Sequence, residues 1–326
     1  MGGSLAPVQV AGFTWNGWQP SAVYAFALFL KLIPLYVTVA LGWIAGRYLE
    51  ANSRNIAGIM LYIVTPSVVF SGVMAAPLST EVILLPFLIF AIASVLGIVQ
   101  MKVASKFLND GSANIIPLCV GSGNNGYFGV PVALLLFGQE GLGLYIMCML
   151  GTTLFENSVG FYLAARGQFG IKDALFRVLR LPAVYAFIAA MAMNLSGVDI
   201  PEIFVPLFDN FRGAHSVLGM MIIGMSIISF RGLAGNIRFT AMAFFGKFVI
   251  WPLVAIGFWW LDATFLDIYD SAAHKAIFLI SITPIPANAV VIATLMDVSP
   301  SQAAGTVLLT TIFALAFIPI MISLAF

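Results

Sequence analysis

Between residues 27 and 325 the chain is a succession of apolar stretches joined by short polar connections. Each is close to the roughly 20 residues that a helix needs to cross a bilayer. Ten can be drawn, at about 27–47, 55–74, 81–104, 112–137, 141–165, 178–197, 208–230, 239–260, 272–296 and 302–325. Lipid offers the backbone no hydrogen-bond partners, so each stretch is expected to be a helix, and the fold class an all-α membrane protein of ten transmembrane helices. Composition agrees. Only 8% of residues are charged and 61% are hydrophobic, whereas a soluble domain carries about 25% charged residues. A soluble enzyme and a nucleic-acid-binding domain are thereby excluded. Cys119 and Cys148 both lie in apolar runs and suggest neither a disulfide framework nor a metal cluster. The first thirty residues hold no Lys or Arg, so no basic leader is expected there.

Basic residues set the expected orientation. Arg47, Arg54, Lys102, Lys106, Arg166, Lys172, Arg177, Arg180, Arg231 and Arg238 all follow odd-numbered stretches, ten of the fourteen Lys and Arg. The opposite side carries Glu81, Glu140, Asp199, Glu202, Asp209, Asp262, Asp267 and Asp270, with Arg212 and Lys275 among them. The positive-inside rule puts the ten basic residues in the cytoplasm and both termini outside a cell (inner) membrane, with Trp15, Trp18, Trp259 and Trp260 in an outer aromatic belt.

The fourth stretch is unlike the rest. It contains Gly121-Ser-Gly-Asn-Asn-Gly-Tyr-Phe-Gly-Val-Pro131. Four glycines closed by a proline make a poor continuous helix, since glycine gives up backbone entropy and proline lacks a donor. At bilayer depth a broken backbone is tolerated only where protein or a water-filled cavity covers it. Asn124 and Asn125 add carboxamides that are costly against lipid. A polar, broken segment of this kind reads as a binding site made from half-helices. The glycine spacing alone also fits helix packing, and the asparagines also fit caps for the break.

A second interruption, Thr283-Pro-Ile-Pro-Ala-Asn288, falls in the ninth stretch. Thr152-Thr-Leu-Phe155 in the fifth stretch matches Thr310-Thr-Ile-Phe313 in the tenth, an offset of 158 residues. The same offset sets Gly126 and Phe128 opposite Pro284 and Pro286. The pattern predicts two five-helix halves, 1–165 and 166–326, of opposite orientation, with the fourth and ninth spans discontinuous and crossing near mid-membrane. Half-helix N-termini suit an anion, and Asn124, Asn125 and Asn288 supply neutral donors.

Ionisable groups inside spans are functional candidates by default. Glu156, next to Asn157, and Lys247 are expected at equal depth, roughly 12–14 Å from their cytoplasmic ends at 1.5 Å per residue. A structural salt bridge and a proton- or cation-coupling site are both open readings. His215 and His274 read as interfacial, and Met220, Met221 and Met225 as packing. No H-E-x-x-H or paired intramembrane aspartates occur, so no catalytic residues and no enzyme activity are expected.

The run Asn124-Asn-Gly-Tyr-Phe-Gly-Val-Pro131 resembles the Asn-x-Gly-x-x-Gly-x-Pro signature of the auxin efflux carrier family, within the bile acid/auxin/arsenite-type transporter superfamily. The broken ninth stretch and the ending Thr310–Pro319 are also similar, and the short loops suit a compact prokaryotic member. The resemblance implies a five-plus-five inverted repeat, with a scaffold from spans 1, 2, 6 and 7 and a transport domain from spans 3–5 and 8–10. It implies a secondary carrier for a small organic anion, auxin-like or malonate/malate-like, working by alternating access, with a channel as the alternative. It maps the family's crossing-region asparagine onto Asn124 and its fourth-span proline onto Pro131, and together with the reading of the two breaks the substrate is expected at Asn124, Asn125, Gly126, Pro131, Asn157, Pro286 and Asn288. No cofactor is implied beyond a coupling proton or sodium ion at Glu156 and Lys247; the partners are the anion, membrane lipid and a second copy in a homodimer, with no nucleic acid.

Overall fold

The computed structural model describes residues 21–75, 80–109, 111–228 and 237–325. Trp15, Trp18 and Arg231, assigned above to the outer belt and a cytoplasmic loop, lie outside the described residues. Those described are helices and short connections, with no strand.

Helix α1 spans Ser21–Tyr48. Asn52 then starts a new helix by accepting hydrogen bonds from the Arg54 and Asn55 backbone N–H groups, which satisfies donors that a helix start leaves free. That helix runs as α2 (Ser53–Ile59), one π turn at Met60–Val64, and α3 (Thr65–Met74). After α4 (Thr80–Ala104) comes the short α5 (Ile116–Gly121). The helix is lost over 122–124 and resumes as a π turn at Asn125–Gly129 and α6 (Val130–Phe155). A further π turn, Glu156–Gly160, leads into α7 (Phe161–Ala165). Helices α8 (Ile171–Leu179) and α9 (Pro182–Leu195) meet at a 46° bend before Pro182. Helix α10 spans Val205–Ile227. Helices α11 (Ile237–Phe245) and α12 (Trp251–Leu261) are joined by a π turn at Gly246–Ile250. Helices α13 (Ser271–Ile282) and α14 (Ala287–Met296) are bent by 50° about Thr283–Pro286, and α15 (Pro300–Ala325) closes the described chain.

By length and apolarity, five helices among the described residues can cross a membrane, or up to seven if each bent pair is one crossing. This is fewer than the ten spans expected. Two expected spans fall short for visible reasons. The 112–137 stretch is broken, and α10 carries Asp209, Arg212 and His215 in its first half. Outward-facing Leu84, Val95, Leu253, Phe265 and Leu324 are more than half exposed, a surface suited to lipid rather than water.

Helices α1 and α10 approach until their backbones touch. A Cβ at Gly42 would overlap the Met221 carbonyl oxygen, and one at Gly224 would overlap the Val39 carbonyl. Gly42 and Gly46 form a small-x-x-x-small spacing, the usual means of close helix contact where lipid removes the hydrophobic drive to associate.

The helical stretch Val130–Phe155 doubles back on itself. Sixteen residues of straight helix would hold Gly129 and Tyr145 about 24 Å apart at 1.5 Å per residue. Instead the Tyr145 hydroxyl lies 3.3 Å from the Asn125 carbonyl oxygen, and the Asn125 Nδ2 group donates to Thr152 Oγ1 at 2.9 Å. The reversal carries the chain from the expected fourth span into the expected fifth.

Candidate functional site

The two interruptions meet. The Asn124 backbone N–H donates to the Pro284 carbonyl at 2.7 Å, and the Thr283 hydroxyl donates to Asn125 Oδ1 at 2.7 Å. Asn125 and Thr283 are 158 residues apart, the offset of the sequence repeat. The two Thr-Thr pairs matched at that offset make the same local contacts: Thr152 and Thr153 both bond back to the Met149 carbonyl, and Thr310 and Thr311 both bond back to the Val307 carbonyl.

Backbone groups freed by the first break find partners within the protein, as they must away from water. The Asn125 N–H turns back to the Gly123 carbonyl at 2.7 Å, and the Asn124 carbonyl accepts from Phe128 and Gly129 at 3.1 Å each. Gly123 is required by space, since a Cβ there would overlap Thr283 Oγ1 and stand 3.0 Å from Lys247 Nζ. Gly129 is required for the same reason against the Tyr145 hydroxyl. Gly126 has open space around it.

None of the three asparagines caps a helix with its side chain. Asn125 is a buried tie: its carboxamide joins Thr152 to Thr283. Asn288 Nδ2 donates to Glu156 Oε2 at 2.6 Å, while its Oδ1 is buried without a partner. The Asn124 side chain makes no hydrogen bond to a described residue, although the residue is buried. Its amide opens to a cavity instead of being sealed in the protein, so it is free to bond a group that enters there.

Glu156 and Lys247 are both buried, and both reach the first break. Glu156 accepts a hydrogen bond from the Ser122 hydroxyl. Lys247 Nζ donates to the Ser122 carbonyl at 2.7 Å, and to the Ile280 carbonyl at 3.5 Å. They are therefore not in direct contact. Ser122 stands between them, with its side chain on the carboxylate and its backbone on the ammonium, which corrects the simple salt bridge considered from sequence. The short step to Trp251, whose ring centre is 5.9 Å from Nζ, adds a cation–π contact.

A cavity of about 430 Å³ opens against this junction. Asn124, Asn125, Gly126, Glu156, Pro286 and Asn288 line it, with Thr65, Thr152 and Thr153 adding hydroxyls. Met60, Val68, Val69, Met149, Leu150 and Val291 make the rest of the wall apolar. Lys247 lies behind the wall rather than on it. Asn157 is also absent from the lining: it turns away and donates to the Thr153 carbonyl at 2.9 Å. Pro131 sits in the first turn of α6.

Four contributors escaped the sequence reading. Arg212 and His215 of α10 line the cavity, where sequence position suggested membrane interfaces. Arg212 also pairs with Asp209 at 3.0 Å. Ser122 and Thr283 carry the central contacts, and hydroxyl residues are too common in apolar helices to stand out. The remaining correction is His274. Read from sequence as interfacial, it is buried within the protein, 2.8 Å from Asp262 Oδ2 and stacked on Trp259, where it ties the end of α12 to α13.

Comparison with known proteins follows this geometry. Residues 215–326 match the model of the Sodium Bile acid symporter family, and this segment contains α11 to α15 and hence the second break. An uncharacterized transporter of Methanocaldococcus jannaschii is 26% identical over 310 residues, covering 92% of this chain and 96% of the relative. An uncharacterized transporter of Methanothermobacter thermautotrophicus is 24% identical over 299 residues, covering 89% and 95%. The similarity to these transporters thus runs nearly end to end, whereas the match to the Sodium Bile acid symporter family is confined to residues 215–326. The finer likeness to auxin efflux carriers has the Asn124–Pro131 motif as its one specific part.

Proposed function

We propose that the chain is a secondary carrier for a small organic anion, with substrate held where the two broken helices meet. The observation that carries this reading is the cavity of about 430 Å³ bounded by both breaks and containing an uncommitted Asn124 carboxamide. Its size falls within the roughly 300–1,000 Å³ usual for small-molecule sites. The lining fits a two-part ligand. An apolar body would rest on Val68, Val69, Met149 and Leu150, and a carboxylate would take donors from Asn124, the start of α14 and Arg212. Helix α14 starts at Ala287 beside the cavity, so its positive dipole end faces the site.

The cavity lies between α3 and α10 on one side and the broken helices with α6 on the other. In the reading we favour, α1, α3, α9 and α10 form the scaffold, and the two inverted halves supply a moving body that carries the breaks. The Asn125–Thr283 contact supports this, because a pseudo-two-fold axis brings equivalent residues of two repeats together where it passes between them. Rocking of one body against the other would expose the site to each side in turn. Both termini face outside the cell membrane in this arrangement.

A thermal-shift screen tests the binding part of the proposal. Malonate, malate and indole-3-acetate are offered to the purified protein, since a ligand that binds the folded state raises its melting temperature with occupancy. We expect at least one carboxylate to stabilise the wild type and to lose that effect in Asn124→Ala. Equal stabilisation of both proteins would move the site elsewhere.

A further inference from the structure

The family matched by residues 215–326 is named for sodium symport, so the junction can be tested for its fit to a sodium ion. Sodium is a hard cation and takes several oxygen ligands, as its neighbours calcium and magnesium do. Two carbonyl oxygens, those of Ser122 and Ile280, meet at this junction, and the Glu156 carboxylate is joined to it through the Ser122 hydroxyl. Ser122 ends α5, and Ile280 lies in the last turn of α13, so two helix C-termini direct their negative dipole ends to one point. The Lys247 ammonium is already at that point. It is fully buried, donates to both carbonyls, and leaves 3.0 Å between its nitrogen and the nearest position a Gly123 side chain would take. The site does not fit sodium as well.

We infer that Lys247 is a tethered cation occupying the coordination site formed by the two half-helix C-termini, and that this protein works without a sodium ion there. The inference rests on reading the junction as the working centre of a carrier. The ammonium moves with the chain and cannot be released to the other side, so it neutralises the carbonyl ends and Glu156 without carrying a gradient across. Gly123 is part of this design, because a Cβ there would press on the ammonium and on Thr283. The charge also explains why a lysine is held in the middle of an apolar span, where an unpaired one is expensive.

The test needs no transported substrate. Melting curves of the purified protein are compared in sodium, potassium and choline chloride at equal ionic strength. Wild type is expected to melt at the same temperature in all three. Lys247→Ala vacates the site, so it should melt lower in choline and recover by about 2–4 °C in sodium or in methylammonium at concentrations well above the dissociation constant. Lys247→Gln keeps a donor for the Ser122 carbonyl and serves as the second variant if the alanine form is not recovered. It should respond to added cations less than Lys247→Ala. A sodium-specific rise in wild type overturns the inference whatever the variants do. So does a folded Lys247→Ala that ignores every cation. Neither result bears on carboxylate binding, so failure here leaves the carrier reading standing.

Discussion

Asn124 and Asn125 are adjacent and chemically identical, yet the structure gives them different work. Asn125 is bonded on both ends, to Thr152 and Thr283, so Asn125→Ala leaves two buried hydroxyls without it. Both hydroxyls keep a backbone partner, Thr152 the Met149 carbonyl at 2.8 Å and Thr283 the Ile280 carbonyl at 2.9 Å, so we expect a loss of about 0.5–1.5 kcal/mol in stability for each hydrogen bond removed, read as a lower melting temperature. Asn124 has nothing bonded to its side chain, so Asn124→Ala should fold normally. Its cost is expected in ligand affinity, at about 0.5–1.5 kcal/mol for each hydrogen bond lost, or a few-fold to tenfold in dissociation constant. Glu156 is a third case. The Ser122 hydroxyl can rotate, so Glu156→Gln keeps both hydrogen bonds and removes only the charge. If Glu156 couples transport to protons, uptake in the variant should lose its response to a proton gradient while exchange survives; unchanged gradient-driven uptake would make Glu156 structural. Loss of folding in Glu156→Gln, repaired by Lys247→Met in the same chain, would also mark the two as a structural pair, since removing one buried charge costs more than removing both.

Helix elements show where local sequence stops being informative. The breaks at 122–124 and 283–286 were legible because glycine and proline act through the backbone, whatever surrounds them. Glu156 and Lys247 were legible because a charge in an apolar span is rarely without purpose. The π turns were not legible, although Asn125, Glu156 and Lys247 each sit in one. One extra residue in a turn depends on tertiary contacts, and π turns concentrate at functional sites. The role of Arg212 was hidden for a related reason, because proximity to a helix start looks the same whether a side chain meets headgroups or a cavity. Contact between α1 and α10 is a further property of elements. Gly42→Ala and Gly224→Ala each put a methyl group into a neighbouring backbone that has no rotamer to change. Each should destabilise the protein by about 1–3 kcal/mol, occasionally more. Gly126→Ala, with open space around the glycine, is the control and should leave the melting temperature nearly unchanged.

The whole molecule joins two sequence segments that are far apart in the chain at one buried junction. Composition foretold a membrane-embedded helical protein, and the repeat offset of 158 residues foretold which two breaks belong together. It did not foretell the cavity, whose far wall comes from α3 and α10 and depends on packing between distant elements. That arrangement, a site enclosed between one set of helices and a pair of broken ones, is suited to presenting a solute to one side of a membrane at a time. A carrier must return its site empty or loaded, whereas a channel lets solute pass without such a cycle. Counterflow in proteoliposomes separates them. Vesicles are loaded with an unlabelled carboxylate that stabilises the protein, diluted, and given a trace of the same compound labelled. The carrier reading predicts a transient accumulation of label above its outside concentration, driven by outward movement of the unlabelled solute, and a higher half-saturating concentration in Asn124→Ala. Label that only equilibrates, at a rate proportional to concentration and indifferent to preloading, would contradict it.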